Sequence, residues 1–202
     1  MQGESLTEQI GSAVGFVAIM ALALIGFQAL SSTPRGSEAE VKTLLAEMPA
    51  STWHFVALQY CYGILNRTYM VFVTRDMICG AKVRGLLAAP VHVTDRWHDP
   101  LFYVRPRLVA RYGRVNLEGP EFASLNSANF QIRKGEVATV EFTAEPKWGM
   151  GTVPYPGRLY LTTADGIRRE LILLGNQDGQ AIRERLLTNG FGRIHSETVV
   201  LP

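Results

Sequence analysis

One short segment, HVTDRWHD, brings together side chains that bind metals in many proteins. His92, Asp95 and His98 supply imidazole and carboxylate groups, which are ligand types for zinc and related ions. Their spacing matches no standard metal site, and the same residue types are common in ordinary polar loops. We therefore predict no metal and no cofactor. These three residues are the candidates for a metal-dependent enzyme, which is the third functional alternative.

The sequence contains none of the common catalytic signatures. It has no G-x-S-x-G nucleophile elbow, no G-x-x-x-x-G-K-[ST] phosphate loop, no G-x-G-x-x-G opening a helix and no H-E-x-x-H. We therefore predict that the protein is not an enzyme. The net charge of only +2 also predicts that it does not bind nucleic acid.

Basic residues concentrate between residues 75 and 114, where eight Lys and Arg residues occur with three Asp. Several of these basic residues occupy every second position of a predicted strand, so that their side chains share one face of the sheet. Such a surface suits anionic lipid headgroups, although a solvated face with local salt bridges has the same composition. A peripheral module that binds anionic lipid is the second functional alternative. Its candidate lipid-facing residues are Lys82, Arg84, Arg105, Arg107 and Arg111.

Two features are typical of contacts between proteins. The loop EPKWGMGTVPYPG, residues 145–157, is long for a hairpin connection and rich in aromatic residues, which are enriched in interface cores. The alternative is a loop that folds back over the domain. Near the N-terminus, small residues have the G-x-x-x-G spacing that lets a second helix approach closely. The candidate contact residues are Gly11, Gly15, Ala18, Trp148, Met150, Val153 and Tyr155.

The elements that would position these groups begin with an apolar segment, residues 10–30. It has no charged residue, and as a helix it would be about 31 Å long, the thickness of a hydrocarbon core. We predict a single transmembrane helix. A cleaved secretory signal is the alternative, but residues 1–9 lack the Lys or Arg that such a signal carries. Because Arg35 and Lys42 follow the segment, we expect the N-terminus outside and the remainder in the cytoplasm.

Two short helices are predicted next, followed by a β-rich region. The first helix is predicted over residues 38–48, which have apolar residues at helical spacing after a capping box. The second is predicted over the uncharged, aromatic-rich residues 52–64. A second membrane span is the alternative for this segment. A hairpin turn is predicted at Asp165-Gly166, and Asp178 is predicted to cap a closing helix. The main predicted strands cover residues 69–74, 78–84, 102–112, 129–133, 137–143, 158–163 and 167–174.

Three segments, YMVFVTRDMICGAKVRG, GRLYLTTADGIRRELILLG and DGQAIRERLLTNGF, resemble bacterial pleckstrin-homology-like (PH-like) domains in their order of strands and final helix. The resemblance implies an antiparallel barrel of about seven strands closed by a C-terminal helix. In eukaryotic members a basic pair binds inositol phosphates, and the resemblance maps it onto Lys82 and Arg84. The predicted divisions are a short extracytoplasmic N-terminus 1–9, a transmembrane helix 10–30, a linker with juxtamembrane helices 31–66, a PH-like domain 67–192 and a tail 193–202.

Together these features predict a bacterial single-pass protein of the inner (cytoplasmic) membrane. Its leading predicted function is that of an accessory or assembly subunit that docks a cytoplasmic PH-like domain onto partner proteins of a larger membrane complex. The expected partners are other membrane-protein subunits, reached through the membrane helix and the domain, with anionic lipid as the alternative partner.

Overall fold

The structure is a computed structural model, and it describes the greater part of the chain after residue 37. The predicted transmembrane helix over residues 10–30 lies outside the described residues. Within the described part, no helix combines the length and the apolarity that a membrane span requires. The described residues are 38–62, 65–84, 95–145, 147 and 154–193.

Seven antiparallel strands form one sheet with the order β4-β3-β2-β1-β7-β6-β5. The central strand β1 pairs with β2 on one side and with β7 on the other, so that β4 and β5 occupy the two edges. The strands are β1 (Trp53–Tyr62), β2 (Leu65–Val73), β3 (Met77–Arg84), β4 (Phe130–Arg133), β5 (Val137–Thr143), β6 (Arg158–Thr163) and β7 (Arg168–Leu173).

Among the described residues, four short α-helices and three 3₁₀ helices accompany the sheet. The α-helices are α1 (Glu38–Ala46), α2 (Pro106–Tyr112), α3 (Pro120–Ser124) and α4 (Gly179–Thr188). The 3₁₀ helices are Asp95–His98, Pro100–Tyr103 and Lys134–Glu136. The predicted fold class, a transmembrane helix followed by a PH-like barrel closed by a C-terminal helix, is therefore wrong. The described chain forms one seven-stranded sheet, and the described part of the insertion between β3 and β4, residues 95–129, is helical rather than extended.

The predicted helix over residues 52–64 is strand β1. Its side chains alternate between the two faces of the sheet: Phe55 and Ala57 belong to one core cluster, and Val56 and Leu58 belong to the other. A strand that is buried on both faces is apolar at nearly every position. Such a short continuous run has no period that separates a strand from a buried helix, which explains the error.

The predicted long strand over residues 102–112 is the end of a 3₁₀ helix followed by α2. Pro106 occupies the first turn of α2, where its fixed backbone angle and its missing N–H favour a helix start. Val109 and Tyr112, three residues apart, are buried against the sheet. The proline therefore marks a helix N-terminus and not a position within a strand.

Both faces of the sheet are covered, which gives the domain two apolar clusters. The first core cluster lies on the face that carries α1 and α2, and includes Phe72, Cys79 and Tyr103. The second core cluster includes Tyr69 on β2 and Leu186 on α4. Burial of this much aliphatic and aromatic surface is the main term that stabilises the fold.

Two local predictions from turn chemistry are confirmed. The Asp165-Gly166 turn connects β6 and β7, with Gly166 at φ 85°, a left-handed conformation that glycine adopts without strain. The Asp178 side chain caps α4 by accepting a hydrogen bond from the amide of Ala181 at 2.9 Å. Both signals depend on a few neighbouring residues, so they hold whatever the overall topology is.

Candidate functional site

Four arginines lie on and beside α2, and we call them the arginine surface: Arg105, Arg107, Arg111 and Arg114. All four side chains are exposed. No Asp or Glu occurs between Asp99 and Glu118. Within the described part of the chain, none of the four forms an ion pair, whereas Arg158 and Arg168 elsewhere do. The arginine surface is therefore a concentration of positive charge that forms no ion pair among the described residues.

The helix that carries the arginine surface is anchored by Tyr112. The Tyr112 hydroxyl oxygen lies 3.2 Å from the carbonyl oxygen of Lys82 and 3.1 Å from Oδ1 of Asn129. The same Oδ1 accepts a hydrogen bond from the Lys82 amide, and the Asn129 amide group donates to the carbonyl of Phe122. These bonds connect α2 to β3 and α3. They hold the helix on the sheet while its arginines face outward.

A groove of about 1100 Å³ lies beside the end of α2, between α1, the β2–β3 turn and residues 113–118. Leu44 of α1 packs directly over Gly113, so that a Cβ at Gly113 would overlap the leucine side chain. The charged lining includes both signs, such as Arg114 and Glu118. Four acidic residues and two arginines line the groove, so its charge is mainly negative and does not suit an anionic ligand.

Lys82 and Arg84, predicted to form one basic pair, are separated by the strand register. Lys82 pairs with Tyr69 and Arg84 pairs with Thr68, because the β2–β3 ladder is irregular at this point. Directly opposed residues share a face of a sheet, and successive residues face opposite sides. Lys82 therefore lies on the face of the second core cluster and Arg84 on the other face.

The predicted metal-ligand loop is described only in part. His92 and the side chain of Asp95 lie outside the described residues. The exposed His98 has its Nδ1 3.1 Å from Oδ1 of Asn176, a contact typical of a surface histidine. Among the residues that the structure describes, no three His, Cys, Asp or Glu side chains are placed to hold a metal ion.

Of the predicted protein-contact residues, the structure describes Tyr155. This side chain is half-buried, packs against the first core cluster, and accepts a hydrogen bond from the Lys147 amide. At Tyr155, therefore, the loop folds back on the domain, as the alternative interpretation predicted. The others, Gly11, Gly15, Ala18, Trp148, Met150 and Val153, lie outside the described residues.

The sequence analysis missed an ionic cluster around Glu170 on β7. Glu170 accepts hydrogen bonds from Lys147 Nζ, from the Tyr160 hydroxyl at 3.1 Å and from Arg158 Nη1 at 3.4 Å. Burial raises the pKa of Glu170, but these donors outweigh burial, and the net result is a lowered pKa. The available signal was Arg158 and Tyr160 alternating with leucines along β6, together with the charged start of β7.

Comparison with known proteins assigns no family. No family model matches the chain, and no curated protein sequence matches it. Among solved structures, the chain is similar to the C-terminal domain of an unknown protein from Leishmania infantum, with a TM-score of 0.35 and 10% sequence identity. The match covers 75% of this chain and 92% of that one.

Proposed function

We propose that the protein binds an anionic membrane surface through the arginine surface. The observation that carries this proposal is the set of four exposed arginines with no acidic residue between Asp99 and Glu118 and no ion pair in the described structure. Arginine stays charged at any physiological pH and binds phosphate oxygens through a planar set of donors.

The energy available from this surface is sufficient for peripheral binding. A basic side chain close to an anionic leaflet contributes about 1 kcal/mol. Four arginines therefore contribute about 4 kcal/mol, or roughly a thousandfold in partitioning. Because exposed charges are screened within about 10 Å at 0.1 M salt, this binding depends strongly on ionic strength.

Lipid is favoured over nucleic acid by the remainder of the chain. Residues 10–30 are apolar and uncharged, which suits a protein that works at a bilayer. The net charge of the chain is only +2, whereas nucleic-acid-binding domains usually have a pI above about 9. The docking function predicted first depends mainly on residues outside the described structure, and it stays a prediction from the sequence.

Sedimentation with vesicles tests the proposal. The protein sample is residues 36–202, which form one compact unit. We expect this unit to bind phosphatidylcholine vesicles that contain phosphatidylglycerol. We expect it not to bind vesicles of pure phosphatidylcholine. Replacing Arg107, Arg111 and Arg114 together with Gln removes about 3 kcal/mol, and so weakens binding by about 100-fold.

A second triple variant provides the control for net charge. Arg133, Arg168 and Arg193 are exposed and lie away from α2 in the sequence, and their replacement with Gln removes the same three charges. This variant is expected to bind the anionic vesicles nearly as well as the wild type. If vesicle binding weakens equally in both triple variants, the arginine surface is not the specific binding site. If the protein binds heparin but not vesicles, the arginine surface binds a polyanion other than lipid.

A further inference from the structure

Carboxylates from three separate segments meet at the groove beside α2. Glu47 follows α1 directly, Asp76 lies in the β2–β3 turn, and Glu118 lies between α2 and α3. All three side chains are exposed, and none forms an ion pair with a described residue. Arg75 and Arg114 also line the groove, but they leave its charge mainly negative. A cleft of one predominant sign attracts a partner of the opposite charge.

Hydrogen bonds hold the walls of this groove in place. The Thr74 hydroxyl donates to Oε1 of Glu118, which joins the β2–β3 turn to the segment after α2. The carbonyl oxygen of Leu117 accepts hydrogen bonds from Nε2 of Gln131 at 2.7 Å and from Sγ of Cys79 at 3.2 Å. The groove is therefore formed before any partner binds, so binding requires little further ordering of the chain.

Part of the groove lining is apolar, which matches the chemistry of an arginine side chain. Leu44, Met48 and Val115 line the groove and are only partly buried. An arginine has an apolar stem that can cover such residues and a charged head that can stay near water. Its guanidinium can bind a carboxylate through two parallel hydrogen bonds. The groove therefore suits arginine side chains better than a compact cation.

The helix α2 connects this groove to the arginine surface. Ala110 and Tyr112 of α2 line the groove, whereas Arg107 and Arg111 of the same helix are exposed. Arg114 belongs to both regions. Unpaired arginines thus lie beside unpaired carboxylates on one continuous surface. Adjacent patches of opposite charge are complementary to a second copy of the same surface related by a two-fold axis.

We propose that this surface binds a second copy of the chain and forms a two-fold dimer. Arg107 and Arg111 of each copy enter the groove of the other copy, where Glu47 and Asp76 receive them. Exposed ion pairs are individually weak and are screened by salt, so the dimer is reversible and sensitive to ionic strength. The contact does not depend on the proposed membrane binding. Because both use the same arginines, an anionic membrane competes with the second copy.

Co-purification of two differently tagged copies of the full chain, in a nonionic detergent, tests this contact. Wild-type copies are expected to retain one another at about 0.05 M salt and about tenfold less at about 0.5 M. One variant reverses Arg107→Glu and Arg111→Glu, and the other reverses Glu47→Arg and Asp76→Arg. Each changed residue acts twice in a two-fold dimer, so each variant is expected to retain itself about tenfold less than wild type does.

A mixture of the two reversal variants provides the decisive result. Each reversed surface then meets a reversed partner, and retention is expected to return to the wild-type level. This recovery also shows that both variants are folded. Reversal of exposed charges elsewhere, Arg133→Glu with Arg193→Glu or Glu141→Arg with Glu184→Arg, is expected to leave retention unchanged.

Vesicle binding by the groove variant separates this proposal from the proposed function. That variant keeps the arginine surface and is expected to bind anionic vesicles at least as well as wild type. The dimer proposal is overturned if wild-type copies do not retain one another, if the reversal variants retain themselves as wild type does, or if mixing them restores nothing. If wild type binds an oligo-arginine peptide but no second copy, the groove serves another basic partner, which also overturns the proposal.

Discussion

The half-buried carboxylate of Glu170 is the common acceptor for several donors on one part of the sheet. Its three donors come from two places: β6 supplies Arg158 and Tyr160, and Lys147 lies in the loop before β6. The Tyr160 ring is also covered by Arg168, whose guanidinium carbon lies 3.9 Å from the ring centroid. A carboxylate with several charge-assisted hydrogen bonds keeps its ionised form in the folded state, which is why the pKa of Glu170 is lowered.

The lowered pKa of Glu170 predicts a dependence of stability on pH. A carboxyl group whose folded-state pKa lies below its unfolded value stabilises the fold above the unfolded value, and this contribution is lost as the pH falls through the folded pKa. Glu170→Gln should therefore lower the unfolding midpoint at pH 7. Below the ordinary glutamate pKa of 4.5 the difference from wild type should shrink steadily.

Thermal melts of wild type and Glu170→Gln between pH 7 and pH 3 measure this difference. Glu136→Gln is the matched control, because the Glu136 side chain is more exposed and its ion pair with Arg133 spans 3.8 Å. A difference between wild type and Glu170→Gln that stays constant over the whole range would show that the charge of Glu170 does not stabilise the fold.

At the scale of secondary-structure elements, the sheet is shaped by close packing between β3 and β4. Gly80 pairs directly with Phe130, and the phenylalanine ring occupies the space where a Cβ of residue 80 would lie. Phe130 in turn packs against Tyr69, with ring centroids 5.3 Å apart, and beneath Arg169. The missing side chain at Gly80 therefore determines where this ring can sit.

Gly80→Ala is predicted to destabilise the fold by about 1–3 kcal/mol, the usual cost of overpacking a core. The control is Gly135→Ala, since a Cβ at Gly135 meets nothing within 4 Å and should change stability little. Denaturant unfolding of both variants measures the effect. Combining Gly80→Ala with Phe130→Leu should recover part of the loss, and a neutral Gly80→Ala would mean that the ring has space to move.

At the scale of the whole molecule, the chain divides into two compact units, residues 1–35 and 36–202. The second unit contains the complete seven-stranded sheet, both core clusters and all four described α-helices. Chains of this length bury enough apolar surface on folding to be stable alone.

We therefore predict that residues 36–202 fold cooperatively without the preceding segment. Their thermal unfolding should be a single transition, with a midpoint close to that of the full chain in detergent. Circular dichroism in the near-ultraviolet, which reports the packing of the tryptophan and tyrosine side chains, is the second measurement. A broad transition without near-ultraviolet signal would show that the second unit needs residues 1–35 to complete its fold.

Several features of this protein are determined by the sequence alone, because their causes lie within a few residues. The Asp165-Gly166 turn and the Asp178 cap were predicted in this way and are confirmed. The helix predicted from residue 38 corresponds to α1. The lack of acidic residues near Arg107 and Arg111 is likewise visible in the sequence.

Only the tertiary structure decided the identity of β1 and α2 and the arrangement of the charges. A central strand covered on both faces has no polar period, so pairing over Trp53–Tyr62 was decided by its neighbours. Arg107 and Arg111 share one side of α2 because they lie one helical turn apart, in a segment that the sequence predicted as a strand. Arg169 and Gln59 lie 110 residues apart in the sequence, and the β1–β7 pairing brings them within hydrogen-bond distance.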